Sequence, residues 1–483
     1  SNNWHVDGNW SNGIPGTTTD VTIPAGLSNY PTLLSTGACK DILVGSSAAG
    51  TASLLDNGYL SISGTVTMER YMTTDTYHSF SPSVSGATAN IFHLPGSTGL
   101  DVYLYSHSEL NNENSTSGYF EIHDLSTPLV PMAGYAVYAK GAEATPPQTA
   151  WTFVEHGGLN TGSFGSSNNM TRTGALTTAG LNYAGNPYPS SIDWDAVSGW
   201  TKTNVNNAIY IEKPGNSGAN IGWATYIAGV GVNSGSRYIA PGQGFFVEAA
   251  SSGTLMMNNS VRVHNAVPYL KSTVNNLVRL QVSGNNYTDE AAVRFLPEAT
   301  AQFDGNYDAH KLFEEIDGAA EIYSLGSTPL AINALPETST VPLGMRVSSE
   351  GVYTIAATEV NDLSAVSLED TKTGIFTDLL KGSYAFSFTP GENEQRFVLH
   401  FGPLAVNDVE NSFANIYSYS HTVFVDMKDN VKGDIFIYNI AGQLVSTVTT
   451  AMGKSKINLV NTGNYIVKVI TNNSTMVKKV FVQ

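Results

Sequence analysis

Two acidic segments are the first candidates for chemistry in this sequence of 483 residues. Asp193 and Asp195 flank Trp194, and a β-strand would place both carboxylates on one face. Hydrolysis of a glycosidic bond needs two carboxylates across a cleft, and separate elements usually contribute them. Asp also forms turns very often. The Asp-Trp-Asp pattern therefore favours a turn over a catalytic pair, while a pair elsewhere among the 40 acidic residues stays open.

The second acidic segment matches part of a calcium-loop pattern. Ligand positions 1, 3, 5 and 12 are filled by Asp304, Asn306, Asp308 and Glu315. Position 6 is Ala309 where a glycine should permit the sharp turn, and position 8 is Lys311, a cation beside the ion. We therefore expect a solvated turn leading into a short helix, with calcium as the alternative and no other cofactor.

Four aromatic residues in an Asn- and Gly-rich stretch are the candidates for binding a glycan. They are Tyr188, Trp194, Trp200 and Trp223. Flat carbohydrate faces stack on exposed Trp and Tyr rings, and Asn, Asp and Gln side chains bond to the hydroxyls. The alternative is that most of these rings fill the core of a sandwich, because tryptophan is mostly buried.

Several other kinds of site are excluded by the sequence. The ten histidines form no HExxH motif, and no GxSxG, Walker loop or GxGxxG after a strand is present. The single cysteine, Cys39, excludes an internal disulfide framework. A formal net charge of -17 argues against nucleic acid as a partner. No run approaches 18 apolar residues, so no transmembrane span is predicted.

The elements that position these residues are predicted to be strands. Short runs of alternating apolar and polar residues, rich in Val, Ile, Thr, Tyr and Phe, indicate an all-β, multidomain chain. Residues 1–73 contain similar runs that start at Val21, Ile42 and Leu60. A period of about 20 residues is typical of a short β-solenoid, with an ordinary sandwich as the alternative.

The middle of the chain contains an internal sequence repeat. The segment 134–137 echoes 244–247, and 80–83 echoes 185–188. This predicts tandem β-sandwich modules, two related units at 74–178 and 179–267. Residues 268–403 show regularly spaced strand runs and are predicted to form a further β-sandwich. Residues 404–412, which have no strong period, are predicted to be a linker.

The last segment, residues 413–483, gives six or seven short strands of the size of an Ig-like sandwich. Its strand–glycine turn–strand unit at 435–445 is followed by the runs 457–459, 463–469 and 476–482. This order resembles the type A C-terminal sorting domain of cargo exported by the type IX secretion system of Bacteroidota. The residues that carry the resemblance, and so the predicted sorting signal, are Tyr438, Gly442, Gly463, Tyr465, Lys468, Lys478 and Lys479.

The resemblance implies a route and two partners. Such a domain is carried through the periplasm and across the outer membrane, recognised by an outer-membrane shuttle and removed by a sortase-like protease. The cargo is then released or anchored at the cell surface. Residues 182–195, 239–247 and 287–295 also resemble the β-rich body of large surface proteins from the same bacteria. Since the sequence starts without a basic and apolar leader, we expect a mature or trimmed form.

Three hypotheses for the function follow. The first is an extracellular or outer-membrane surface protein that acts as an adhesin, binding a glycan or another surface protein without catalysis. The second is a polysaccharide-acting hydrolase or an accessory module of one. The third is a structural spacer at the cell surface.

Overall fold

The computed structural model describes residues 2–109, 118–144, 146–174, 179–213, 222–264, 274–313, 317–402, 413–428, 431–471 and 475–482. Contacts divide the chain into two units, Ser1–Gly402, here called the body, and Pro403–Gln483, here called the C-terminal domain. The helices that the structure describes in full are the short 3₁₀ turns Asp7–Asn9, Ala89–Phe92 and Asn259–Val261. The all-β, multidomain class is therefore confirmed. The predicted linker, 404–412, lies outside the described residues.

The N-terminal part of the body is a stack of short coils. The strands, named in chain order, are β1 (Val21–Ile23), β2 (Gly37–Cys39), β3 (Ile42–Val44), β4 (Ser46–Ser47), β5 (Gly50–Thr51), β6 (Leu60–Ile62) and β7 (Val66–Thr73). β1, β3 and β7 pair in parallel, with Val21 beside Ile42 and Ile42 beside Val66. β2 pairs with β6, also in parallel. Parallel rows from successive coils are the pairing of a β-solenoid, as the spacing predicted.

One detail of that prediction is wrong. The run that starts at Leu60 does not continue the row of Val21 and Ile42, because it pairs with Gly37–Cys39. The row continues at Val66. The coils are therefore slightly longer than the spacing of the three runs indicated.

The middle of the body consists of two principal sheets. Its strands are β8 (Tyr77–Phe80), β9 (Val84–Ser85), β10 (Val102–His107), β11 (Tyr119–Ile122), β12 (Tyr135–Ala139), β13 (Ala150–His156), β14 (Gly158–Leu159), β15 (Leu181–Gly185), β16 (Ser191–Asp193), β17 (Trp200–Glu212), β18 (Trp223–Ile227), β19 (Val230–Val232), β20 (Tyr238–Ile239), β21 (Gly244–Met257) and β22 (Arg262–Val263). One sheet has the order β11-β10-β12-β8 and the other β15-β21-β17-β18-β19. β13 instead pairs with β7 and extends the sheet of the coils.

The echoed segments occupy corresponding places in these two sheets. Phe80 at the end of β8 lies opposite Tyr135 on β12, and Gly185 at the end of β15 lies opposite Gly244 on β21. The bridges Phe80–Gln243 and Ala133–Ala184 join the two sheets reciprocally. The boundary near residue 178 stays a prediction, because residues 175–178 lie outside the described part of the chain.

The last part of the body is one continuous sheet. Its strands are β23 (Leu277–Gly284), β24 (Tyr287–Phe295), β25 (Ala309–His310), β26 (Ala320–Leu325), β27 (Pro329–Leu335), β28 (Thr340–Val347), β29 (Gly351–Asn361), β30 (Val366–Asp370), β31 (Ile375–Asp378), β32 (Tyr384–Phe388) and β33 (Phe397–Phe401). The order is β31-β30-β33-β28-β26-β27-β24-β23-β29-β32, with β25 beside β27. Most of its strands contribute side chains to one core, whereas Ala309 on β25 and Ile332 on β27 belong to a second core that includes residues of the middle sheets. A sandwich would have two separate sheets, whereas here all the strands are connected through strand pairing.

The C-terminal domain is a small two-sheet sandwich. Its strands are β34 (Ala414–Tyr419), β35 (Thr422–Met427), β36 (Lys432–Asn439), β37 (Leu444–Met452), β38 (Lys454–Asn458), β39 (Gly463–Thr471) and β40 (Thr475–Val482). One sheet has the order β34-β35-β38 and the other β37-β36-β39-β40. Alternate residues on β36 and β39, such as Ile435, Ile437 and Val467, fill the core between them.

Buried arginine–carboxylate pairs connect distant segments of the body. The pairs are Arg70–Glu155, Arg262–Asp56 and Arg396–Asp370, and the half-buried Arg172 meets the buried Glu248 in the same way. Arg396 donates to both carboxylate oxygens of Asp370, at 2.8 and 2.6 Å, and its guanidinium lies among three phenylalanine rings. Burial acts to raise the pKa of Asp370, but hydrogen bonds from Arg396 and Tyr384 outweigh it and hold that pKa well below its usual range.

Replacing Arg396 by leucine should destabilise the body strongly. The substitution leaves the Asp370 carboxylate buried without its cation, which costs about 3–5 kcal/mol. Thermal unfolding monitored by fluorescence should show a large fall in Tm for Arg396→Leu. Lys381→Ala breaks the solvent-exposed Lys381–Asp378 pair and is the matched control, expected to leave the Tm unchanged. Equal Tm values for the two variants would contradict the assignment.

A partly buried histidine connects the coils to β22. The Nε2 atom of His264 lies 2.8 Å from Thr32 Oγ1, and its Nδ1 atom lies 2.9 Å from Ser53 Oγ. Burial, together with the charge of Arg262, lowers the pKa of His264 to about 4. Since Ser53 is itself buried, this serine–histidine contact is closed to a substrate and holds the coils in place.

The stability of the body should fall as the pH drops from about 6.5 to about 4. Over that range the unfolded chain protonates His264 while the folded chain keeps it neutral, so acid favours unfolding. His264→Gln should make the decline of Tm with pH shallower. His123→Gln changes an exposed histidine, and its decline of Tm with pH should have the same slope as that of the wild type. An unchanged slope in His264→Gln would disprove the role of this group.

Candidate functional site

The aromatic residues predicted to bind a glycan do not form one exposed surface. Tyr188 and Trp194 are fully buried, so the expectation of stacking on a sugar is wrong for these two and the core alternative holds. The Tyr188 hydroxyl donates to the carbonyl of Gly162 at 2.7 Å, and the Trp194 indole donates to the carbonyl of Asn207 at 2.8 Å.

Trp200 and Trp223 are half-buried, but they pack against different cores. Trp200 meets Trp194 edge to face at 4.8 Å. Trp223 meets the edge of Phe246 at 5.5 Å. The four predicted residues are therefore not brought together, and Trp223 is the member that lies beside the aromatic cluster described below.

The Asp-Trp-Asp segment is a structural turn held by cations and a phenol. Asp193 accepts two hydrogen bonds of 2.6 Å from Arg237, and Asp195 accepts one from Tyr226. Lys202 lies 3.4 Å above the Trp194 ring, and burial lowers the pKa of this lysine to about 8 against the pull of the two aspartates. Each carboxylate is thus engaged within the fold, as the turn interpretation predicted.

The predicted calcium ligands also take part in backbone structure. Asp304 Oδ1 accepts from the amide of Asn306, and Asp308 accepts from the amides of Asp304 and Ala334, both at 2.7 Å. Asp308 is buried, and burial raises its pKa to about 6 against those hydrogen bonds. Glu315, the remaining ligand of the pattern, lies outside the described residues.

The segment after Asp308 is not the expected helix in its described part. Ala309–His310 forms β25, which pairs with β27. The described residues contain no group of three His, Cys, Asp or Glu side chains placed to hold a metal ion.

An aromatic surface that the sequence did not single out lies on the sheet β11-β10-β12-β8. One face of this sheet contributes Val102, Leu104 and Val137 to the core. The opposite face carries five half-buried tyrosines, here called the tyrosine platform: Tyr77, Tyr103, Tyr105, Tyr119 and Tyr138. The alternation of strand side chains places them all on one side.

The platform is a continuous row across three strands. Tyr77 lies opposite Tyr138, and Tyr138 lies opposite Tyr103. Their ring centroids are 5.1 and 5.9 Å apart. Because neighbouring strands are about 4.8 Å apart, the row extends about 10 Å across the sheet. Tyr105 widens it, with its ring 6.4 Å from that of Tyr77.

Polar groups surround the open end of the platform. Lys140 Nζ lies 4.1 Å from the centre of the Tyr103 ring, and the Tyr103 hydroxyl donates to Glu143 at 3.1 Å. This hydrogen bond is the main cause that raises the pKa of Tyr103. Glu121 lies opposite Tyr105 in the sheet. Rings bordered by one ammonium and two carboxylates can stack on an apolar ligand face and bond to hydroxyls at its edge.

The other end of the platform is covered. His107 packs against Tyr119 and Phe246, each with ring centroids 5.1 Å apart, and the Phe246 ring stacks on Tyr183 at 4.0 Å. Burial lowers the pKa of His107 to about 4, so this imidazole is neutral at physiological pH. Tyr77 and Tyr105, like Tyr119, also pack against the core that contains Phe246, so Tyr103 and Tyr138 are the platform rings that lie outside this core.

The sequence does contain a signal for this platform. Tyr103, Tyr105 and His107 alternate with core residues, which is the pattern of one strand face. This pattern alone did not predict the platform, because the other rings, Tyr77 and Tyr138, lie on strands that are distant in sequence. Only the structure shows how these strands pair.

The predicted sorting residues fall into distinct places in the C-terminal domain. Gly442 forms the turn between β36 and β37 with a φ of 79°, and Gly463 begins β39. Tyr465 is a core residue whose hydroxyl donates to the carbonyl of Asn461 at 2.8 Å. Lys478 lies opposite the buried Val467, so its stem is on the core side of the edge strand β40.

The remaining sorting residues share the outer face of the sheet β37-β36-β39-β40. Cross-strand pairs place Tyr438 beside Ile466, and Ile466 beside Lys479. Lys468 follows on the same face of β39, two residues beyond Ile466. Exposed apolar side chains complete this surface, here called the outer face: Leu444, Val477 and Phe481.

Comparison with known families identifies the C-terminal domain. Residues 419–483 match the secretion system C-terminal sorting domain. The protein is therefore cargo of the type IX secretion system, exported to the cell surface or the extracellular space, and its sorting domain interacts with the secretion machinery. Among the residues described, none belongs to a helix of the length and apolar character that crossing a bilayer requires.

The body matches a second family model over residues 47–401, which is most of the chain. No curated protein matches the sequence. The match begins within the coils, at β4, and ends at the last strand of the eleven-stranded sheet. The protein belongs to the family described as Domain of unknown function (DUF8693), and in this chain that domain precedes a secretion system C-terminal sorting domain.

Proposed function

We propose that the exported body is an adhesin that binds a neutral glycan on the tyrosine platform without catalysis. The observation that carries the proposal is the row of half-buried Tyr77, Tyr138 and Tyr103 rings on one sheet face. Tyrosine offers a rigid apolar ring with a polar tip at low cost in conformational entropy, which suits recognition of a sugar.

The charges around the platform support a neutral ligand. The ammonium of Lys140 is offset by the carboxylates of Glu143 and Glu121, and the whole chain carries a formal charge of -17. A strongly anionic polysaccharide would be repelled by such a surface. A neutral glycan instead meets rings for its apolar face and both donors and acceptors for its hydroxyls.

Removing two rings from the open end should weaken glycan binding. In Tyr103→Ala with Tyr138→Ala the row loses most of its stacking area, and we expect at least a tenfold increase in Kd, which corresponds to about 1.4 kcal/mol. A screen of neutral polysaccharides would select the ligand, and titration calorimetry would give the Kd.

Two controls accompany this test. Replacing both tyrosines by phenylalanine keeps the rings and should retain most of the affinity. Tyr59→Ala removes an exposed tyrosine from the coils and should leave the Kd unchanged. Absence of binding to every neutral glycan would instead favour a structural spacer, and release of new reducing ends would favour a hydrolase.

We further propose that the outer-membrane shuttle binds the outer face of the sorting domain before a sortase-like protease removes that domain. Phe481 and Val477 are exposed apolar residues on this face, and Lys468 and Lys479 lie between and beside them. Exposed apolar side chains that lie together among polar residues are typical of a protein interaction surface.

Introducing charge on the outer face should block export. In a bacterium with a type IX system, Ile466→Asp with Phe481→Asp should leave the protein in the periplasm, because the apolar contact with the shuttle is lost. Cell fractionation and immunoblotting measure the distribution. Val460→Asp, which charges an exposed loop residue of the same domain, is the matched control and should be exported normally. Normal export of the double variant, with an unchanged Tm, would refute this interface.

A further inference from the structure

The C-terminal domain has a second solvent-facing sheet surface, on the sheet that does not carry the outer face. This sheet, β34-β35-β38, places Ile416 and Val425 in the core of the domain. The alternate residues of its strands therefore point away from the core. In the middle of that surface, cross-strand pairing places Tyr417 beside Phe424, and Phe424 beside Lys456. Aromatic and basic side chains thus share one side of the sheet.

Two aromatic rings stack on this surface. The rings of Tyr417 and Phe424 are nearly parallel, at 11°, and their centroids lie 5.0 Å apart. Tyr417 is 36% exposed, and Tyr419, on the same side of β34, is 77% exposed. Apolar ring carbons with hydroxyl groups at their tips are therefore accessible to a ligand.

Two lysines border the rings. Lys454 Nζ lies 5.6 Å from the centre of the Tyr417 ring and 5.5 Å from that of Phe424, and Lys456 Nζ lies 5.9 Å from the Phe424 ring. Asp426 lies opposite Lys454 and offsets part of its charge, whereas Lys456 lies opposite Phe424. The end of the surface at Lys456 is therefore the more basic one. The two rings and the two lysines are here called the aromatic–lysine face: Tyr417, Phe424, Lys454 and Lys456.

The C-terminal domain as a whole is more basic than the rest of the chain. Residues 403–483 contain seven lysines, no arginine and five acidic residues, whereas the complete sequence has a formal net charge of -17. Charges separated by more than about 8 Å are largely screened at physiological ionic strength. An anion on the aromatic–lysine face therefore interacts mainly with the two lysines beside it.

We propose that the aromatic–lysine face binds an acidic oligosaccharide, whose sugar rings carry carboxylate groups. An aromatic ring stacks on the apolar face of a sugar, and an ammonium group pairs with a carboxylate on the same sugar. Thr422 and Asn458, which bond to each other at 2.7 Å on the same side of the sheet, supply polar partners for hydroxyl groups. These polar neighbours favour a sugar over a lipid bilayer, which requires an apolar surface that enters the acyl region.

The proposal is independent of the functions proposed above. The aromatic–lysine face shares no residue with the tyrosine platform, which lies in the body, or with the outer face, which lies on the other sheet of the C-terminal domain. Failure of neutral glycans to bind, or normal export of the outer-face variant, therefore leaves this proposal standing.

A matched pair of ligands tests the proposal on the full chain. Tetragalacturonic acid carries a carboxylate on every ring, and its fully methyl-esterified form keeps the rings without the charge. Titration calorimetry should give a Kd for the acid at least tenfold lower than that for the ester, and about 0.5 M salt should weaken the binding of the acid. Equal affinity for the two ligands, or no binding of the acid, would overturn the proposal. Binding to vesicles of anionic phospholipid without binding to the acid would also overturn it and indicate a lipid surface.

Substitutions locate the binding on the face. Lys454→Gln with Lys456→Gln should raise the Kd for tetragalacturonic acid at least tenfold, and Tyr417→Ala should raise the Kd while the salt dependence remains. Lys381→Gln with Lys432→Gln removes the same charge from two exposed lysines elsewhere and should not change the Kd. An unchanged Kd in the double variant of the face, with an unchanged Tm, would place the binding elsewhere and disprove the assignment.

Discussion

The buried ion pairs of the body constrain how its segments come together. Charged residues are only 13% of the chain, yet Arg70, Arg262 and Arg396 are buried against carboxylates. Breaking such a pair leaves one buried charge unpaired in a medium of low dielectric. The stable fold is therefore the one in which both partners of each pair are in contact. Arg262 meets Asp56 across more than 200 residues of sequence, which fixes the coils against the central sheets. The half-buried tyrosine platform depends on sheets held in this way.

The sequence was sufficient for features that depend on local pattern. Alternation predicted strands, the spacing of Val21 and Ile42 predicted parallel coils, and the order of runs after residue 413 predicted the sorting domain. It misplaced the third coil, because Leu60 and Val66 both begin apolar runs and only pairing decides which one continues the row. The prediction of a short helix after Asp308 was wrong for the described residues 309–313, because the pairing of β25 with β27 overrides a weak local preference for helix.

Function was harder to predict, because the type of a residue does not determine whether its side chain is exposed. Trp194 was a candidate because exposed tryptophan rings stack on sugars. The same large apolar surface favours burial, however, and Trp194 lies in the core. Tyr103 and Tyr138 are ordinary in sequence, and they form a surface only because β10 and β12 pair in one register.

Lys478 affects what happens when many copies accumulate before crossing the outer membrane. Its strand, β40, is the last of its sheet and offers backbone groups to any passing strand. A second molecule that added its own strand there would have to desolvate this lysine beside Val467. The charge of Lys478 therefore opposes fibre growth through edge-to-edge association. At high local concentration, the exported proteins remain separate molecules.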